Sequence, residues 1–291
     1  MVSFIWLKPL ATTLQISDTK TMHIGVDIGA SKTLVAATAS HIEHSKTTTF
    51  KTSPDFSQFH ADLSRAVADV NDTDTQVEAI TVAAPGVIDN GVIKRGGQIT
   101  WQDINLEDEL QQFAPQAKVT VLNDAAAGGM YESVAGAGEN YNVVLYVTIS
   151  TGIGSALVID NRLQHQFGNS EGGQMILDHQ RLDRFETLAS GSAFNDTYHH
   201  LGSEENDPAH WSEYGQLVGT GLFNMITITR PDVVVIGGSM GVHFDKYEHA
   251  TTSQIDKLID GLYNAPVITA AHEPESAVAY GCLLIAQGAV K

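Results

Sequence analysis

Cysteine is almost missing. Cys282 is the only one in 291 residues, so an internal disulfide cannot form and a cysteine-rich zinc cage cannot be built. Between Ala279-Tyr280-Gly281 and Leu283-Leu284-Ile285 it reads as a small core residue. Basic residues are scarce too: 16 Lys and Arg stand against 34 Asp and Glu, a formal charge of -18. Phosphate backbones and anionic lipid repel such a chain. With no local basic patch, it is expected to bind neither nucleic acid nor membrane. No apolar run reaches the ~18 residues of a membrane span. The 12 histidines show no HExxH or other metal spacing. Lys8 interrupts the mildly apolar Met1–Leu10, whereas a signal peptide would carry its positive charge first. A cytoplasmic location is therefore expected. Residues 1–21 carry no structural pattern and are expected to be a disordered extension or a start-site artefact ahead of Met22.

Hydrophobic residues make up 43% of the chain, as in an ordinary globular protein. Ile24–Asp27 reads as a buried strand, Gly29-Ala30-Ser31 as a turn and Thr33–Ala37 as the returning strand. Ser53-Pro54 has the form of a helix cap followed by a first-turn proline. Phe56, Phe59, Leu63, Val67 and Val70 then recur at helical spacing. Strands are expected at Glu78–Ala83, before the Pro85-Gly86 turn, and at Val119–Leu122. Ala125–Val134 reads as a helix. From Asn142 to Asp160 the strand, glycine turn and returning strand recur, about 120 residues after the first. Val233–Ile236 is a further strand ending in Gly237-Gly238, and Asp245–Asp260 and Glu275–Gln287 read as helices. Alternating strands and helices argue for α/β layers, and the repeat for two similar domains.

Small residues in a turn let backbone N–H groups approach an anion closely. Three such turns follow strands here, at Gly29, Gly152 and Gly237. Other nucleotide motifs fail. A Walker loop needs glycine immediately before its lysine, but Ser31 precedes Lys32. The dinucleotide fingerprint needs a small residue where Leu157 stands.

Asp27-Ile28-Gly29-Ala30-Ser31-Lys32-Thr33 resembles the first phosphate motif of the ROK family (repressors, open reading frames, kinases). Ser150-Thr151-Gly152-Ile153-Gly154 resembles the second, and Pro231–Gly238 the adenosine-side strand and turn. The similarity runs in order from about Met22 to the C-terminus. It implies a two-domain, actin-like and hexokinase-like α/β fold with ATP bound between the domains. Residues 22–122 plus 276–291 would form one domain and 123–275 the other, hinged after Leu122. Asp27, Gly29, Ala30, Ser31, Lys32, Thr33, Thr151, Gly152, Gly154, Gly237 and Gly238 are the expected nucleotide contacts.

Phosphoryl transfer to an alcohol needs an oriented nucleophile, a base and cations on the phosphates. Asp124 ends a strand and starts a helix, so its carboxylate can point into a cleft. The resemblance makes it the base that deprotonates a sugar's primary hydroxyl. Asp27 is the candidate for holding Mg²⁺ through water. The resemblance also implies sugar contacts at Gln98, Asn123, Glu171, Glu186 and Gly86. Expected ligands are therefore ATP, Mg²⁺ and a hexose or amino sugar, glucose first. Homodimers are common in the family.

Three departures matter. Ala30, Ser150, Ser155 and Ala156 stand where glycine is usual. Gln174 replaces the family's zinc-binding histidine, and Asp178–Phe185 holds none of its three cysteines, so zinc is not expected. Residues 198–214 fit no motif. A sugar- or nucleotide-binding protein without turnover remains an alternative. A sugar-responsive regulator is another, although those carry a helix-turn-helix and only 21 residues precede the first phosphate strand here.

Overall fold

A computed structural model of the chain describes residues 21–71, 75–95, 99–168, 171–274 and 276–290. Residues 1–20 of the expected extension, and Gln98, lie outside this set. The chain opens with β1 (Met22–Ile28), β2 (Lys32–Thr38), β3 (Lys46–Lys51), α1 (Phe56–Val70) and β4 (Val77–Ala84). The short strands β5 (Val87–Asp89), β6 (Val92–Arg95) and β7 (Ile104–Asn105) follow, then α2 (Leu106–Phe113), β8 (Lys118–Asn123) and α3 (Asp124–Ala135). The second half runs through β9 (Val143–Ile149), β10 (Ile153–Ile159), β11 (Arg162–Leu163), α4 (His165–Gly168), β12 (Ile176–Asp178) and β13 (Asp183–Arg184). It ends with α5 (Phe185–Ala189), α6 (Gly191–Tyr198), α7 (Pro208–Thr229), β14 (Val233–Gly237), α8 (Phe244–Ile259), β15 (Val267–Ala270) and α9 (Ala277–Ala286).

The repeat seen in the sequence is a repeat of sheets. One sheet has the order β3-β2-β1-β4-β8 and the other β11-β10-β9-β14-β15. In each, three antiparallel strands lead into three parallel ones that share the central strand, β1 or β9. The central strands are buried on both faces and read as near-continuous apolar runs, as such strands must. Phe59, Leu63 and Ala66 of α1 and Leu106 and Leu110 of α2 cover one face of the first sheet. The long helices α7 and α8 cover one face of the second, through residues such as Tyr214, Val218, Leu222, Tyr247 and Ile255.

The remaining faces are covered crosswise. α3 follows the last strand of the first sheet yet packs on the second: Gly128 and Gly129 lie against Tyr146 of β9, and Gly129 also against Ala156 of β10. α9 follows the last strand of the second sheet yet packs on the first: a Cβ at Gly25 of β1 would meet Ala279 O at 2.5 Å and Cys282 Cβ at 3.0 Å. Cys282 is fully buried there, as expected. The two helices touch where Gly281 lies over the backbone of Ala127.

One helix start differs from expectation. The cap of α1 is Asp55, whose carboxylate accepts from Gln58 N at 2.8 Å. Ser53 instead accepts from Asp55 N. The carbonyl of Pro54 is taken by Trp101 Nε1 and Thr100 Oγ1, which holds residue 54 out of the helix.

Candidate functional site

Two tight turns close the β1–β2 and β9–β10 hairpins. In the first, Gly29 N donates to Lys32 O at 3.0 Å, and a Cβ at Gly29 would meet that same oxygen at 2.7 Å. Ala30, Ser31 and Lys32 are exposed. Ala30 is absent from the positive-φ residues, so its methyl carries no backbone strain where the family has glycine. Thr33 differs from its neighbours in the motif. It is fully buried and its hydroxyl pairs with Thr52 Oγ1 at 2.9 Å, while Thr52 Oγ1 donates to Gly29 O at 2.8 Å. Its side chain therefore braces the turn from behind. Thr52, which no motif pointed to, is the other half of that brace.

In the second turn Ser150 N donates to Gly152 O at 2.8 Å, and Thr151 is exposed. The turn after β14 closes onto it. Met240 N donates to Ile149 O at 2.9 Å and Ser239 N to Ser150 Oγ at 3.2 Å. Gly238 has φ 77° and a Cβ there would strike Ile149 O and Ser150 Oγ at 2.5 Å. Ser150 is thus more than a tolerated substitute for glycine, because its hydroxyl joins the two turns. Gly237 and Gly154 have packing reasons to be glycine. A Cβ at Gly237 would strike the Tyr146 ring, and one at Gly154 would press at 3.1 Å on Ala125 Cβ and Thr148 Cγ2.

Asp124 is the first residue of α3. Asn123 caps that helix: its Oδ1 accepts from Ala125 N at 2.9 Å while its Nδ2 donates to Gly86 O at 2.8 Å. Asn123 thereby ties the Pro85-Gly86 turn, where Gly86 has φ 87°, to the start of α3. Asp124 Oδ1 accepts from Ala125 N at 2.7 Å and lies 3.9 Å from the Cβ position of Gly154. Burial raises the Asp124 pKa to about 6; the Ala125 N–H works against the rise and the charge of Glu171 adds to it. Burial raises Asp27 to about 7, helped by the charge of Asp124 and opposed by Lys32. Two half-buried carboxylates that resist ionisation, with one lysine in partial compensation, have the chemistry to hold a cation.

Glu171 has φ 49° and ψ 57°, the left-handed region, at the entry to the buried pair Gly172-Gly173. A non-glycine residue held there marks a position whose side-chain direction is imposed by its surroundings. Glu186, in α5, turns toward the second hairpin. Its Oε2 accepts from Ile153 N at 2.8 Å and its Oε1 from Gln174 Nε2 at 3.1 Å. Gln174 Oε1 in turn accepts from Arg184 Nη1 at 2.6 Å. Neither Gln174 as a donor nor Arg184 at all had been singled out, since no spacing motif describes an amide between a carboxylate and a guanidinium.

Residues 198–214 are organised around Glu205 and Trp211. Glu205 is buried and accepts from the backbone N–H groups of Asn206 and Asp207 at 2.7 Å each. Its other oxygen meets His210 Nδ1 at 2.9 Å, and Trp211 enters the core. Among the described residues no helix is long and apolar enough to cross a membrane.

The ROK family profile matches residues 23–289. A polyphosphate glucokinase of Mycobacterium leprae is 24% identical over 214 residues, 72% of this chain and 60% of its own length. The xylose repressor of Bacillus spizizenii is 29% identical over 188 residues, 55% of this chain and 48% of that protein. The chain thus spans about half to three fifths of these relatives. A crystal structure of a ROK family glucokinase from Streptomyces griseus, in complex with glucose and AMPPNP, superposes with a TM-score of 0.79 at 22% identity. The match covers 92% of this chain and 99% of that one. The fold is the actin-like, hexokinase-like α/β architecture.

Proposed function

The chain belongs to the ROK family, and from that premise we propose that it transfers the terminal phosphoryl group of ATP to the primary hydroxyl of a hexose or amino sugar, with glucose the first substrate to try. One observation carries the reading. Asp124, a half-buried carboxylate with its pKa raised to about 6, starts α3 beside Gly154 and within electrostatic reach of Asp27 and Glu171.

In this reading Asp124 accepts the hydroxyl proton as the oxygen attacks phosphorus. Asn123, Gly86 and Glu171 border the sugar and Gln98 belongs with them by motif, whereas Glu186, expected beside them, has its two oxygens engaged by Ile153 N and Gln174 Nε2. The turns at Gly29–Lys32 and Thr151–Gly152 offer backbone N–H groups to the phosphates, and Gly237-Gly238 borders the adenosine. Asp27 would hold Mg²⁺, which when bound neutralises phosphate charge. The proposed domains are 22–122 with 276–291, and 123–275, closing on substrate to exclude water. A cytoplasmic location and a homodimer belong to the same proposal.

The test is ADP release from Mg-ATP across a panel of hexoses and N-acetylated hexosamines. Sugar-dependent ADP is expected. A sugar that raises the melting temperature with no ADP formed would instead identify a binding protein without turnover.

A further inference from the structure

The route from Arg184 to the second turn is a continuous hydrogen-bonded chain of side chains. Arg184 Nη1 donates to Gln174 Oε1 at 2.6 Å, Gln174 Nε2 donates to Glu186 Oε1 at 3.1 Å, and Ile153 N donates to Glu186 Oε2 at 2.8 Å. Its far end presses on the turn itself: a Cβ at Gly152 would lie 2.5 Å from Glu186 Oε2. The near end is anchored independently of the chain. Arg184 ends the β12–β13 hairpin, where Phe185 N donates to Met175 O at 2.8 Å, and the Phe185 ring is buried against Gly221 of α7.

These residues do not fit the zinc ion that the family resemblance would put here. Among the described residues no three His, Cys, Asp or Glu side chains gather into a metal site. Gln174 has its oxygen committed to a guanidinium, and that positive charge opposes a second cation beside it. The amide orientation is fixed by its two partners. The oxygen must face the donor Arg184, so the nitrogen faces the acceptor Glu186.

We propose that Gln174 and Arg184 are positioning residues for the nucleotide, fixing Glu186 so that it holds the Gly152-Ile153 turn open to the phosphates without a metal. The inference rests on the kinase reading for its assignment of that turn to ATP. Glu186 satisfies the Ile153 N–H at the end of the turn. Without Gln174 the carboxylate keeps one protein partner and can swing, and the turn loses its fixed shape.

The test is titration with Mg-AMPPNP of wild-type protein, Gln174→Ala, Arg184→Ala and Arg184→Lys, with the melting temperature of each unliganded protein recorded. Arg184 is exposed, so its variants keep the fold even if Gln174→Ala does not. Loss of one charge-linked hydrogen bond predicts an AMPPNP Kd about tenfold weaker in both alanine variants. Arg184→Lys, which keeps a donor, should recover much of that loss, with melting temperatures within about 2 °C of wild type. Under turnover, KM for ATP should rise while kcat at saturating ATP stays within about threefold. AMPPNP affinity within about twofold of wild type in both alanine variants overturns the proposal. So does an affinity loss that tracks a falling melting temperature and is not recovered by lysine. Wild-type protein that binds AMPPNP but forms no ADP with any sugar removes the kinase reading and leaves the titration to decide this one. Wild-type protein that does not bind AMPPNP removes both.

Discussion

Asp124 has to be ionised to take a proton, and its surroundings oppose ionisation. With burial raising its pKa to about 6 in the unliganded protein, kcat/KM for the sugar should climb with pH through about 6 and level off near pH 7.5, measured as ADP release at subsaturating sugar. Asp124→Asn should lower kcat by roughly 10²–10⁴ while sugar still raises the melting temperature. The same burial sets a sign for stability. Asp27 and Asp124 hold protons more tightly folded than unfolded, since both start from 3.8. The folded state therefore binds more protons between about pH 4 and 7, and their contribution to stability falls as pH rises through that window. Glu171 makes a separate case. Glu171→Gly should raise KM for the sugar about tenfold, read from ADP release against sugar concentration. Asp27, Asn123 and Asp124 could be singled out from the sequence because each lies at or beside a strand end, before a glycine turn or the start of a helix. Gln174 and Arg184 were not, because their meaning lies in a side-chain chain that closes only when the β12–β13 hairpin folds.

At the scale of elements, strands were easier to read than the ends of helices. Buried strands are apolar runs bounded by turn residues, and the expected Glu78–Ala83 and Val119–Leu122 each fall within an observed strand. The start of α1 moved because a distant tryptophan claimed the Pro54 carbonyl, which local propensity cannot foresee. Glycine was ambiguous for a similar reason. Gly154 and Gly237 look like phosphate-loop glycines, yet Tyr146 already excludes a side chain at Gly237, and Thr148 and Ala125 crowd one at Gly154. Gly281 shows how strict such packing is. Glycine to alanine within a helix ordinarily stabilises by about 0.8–1.0 kcal/mol. Here the new methyl would overlap the Ala127 backbone, so Gly281→Ala should instead destabilise by about 1–3 kcal/mol in denaturant melts.

Across the whole molecule, the repeat written into the sequence as two strand–turn–strand units became two sheets of identical order. Hydrophobic patterning alone could not show which sheet each connecting helix serves, since α3 and α9 are apolar in a way that fits either; it was the family resemblance that put 276–291 with the first domain and 123–135 with the second. A buried carboxylate helps to hold this exchange in place. Glu132, near the end of α3, accepts from the N–H groups of Ala137, His272 and Glu273, the last two on the approach to α9. The side chain is fully enclosed, and three N–H donors satisfy its two oxygens.

Because the first sheet takes its inner layer from the C-terminal helix α9, while α3, midway along the chain, covers the second, the protein should behave like a clasped pair rather than two beads on a string. A cut between the exposed Glu139 and Asn140 leaves one fragment carrying α3 and needing α9, and another carrying α9 and needing α3. Expressed singly, each should aggregate through its uncovered apolar face. Expressed together, they should find one another and co-purify, a natural split protein whose reassembly could report on contact between any two partners fused to its ends.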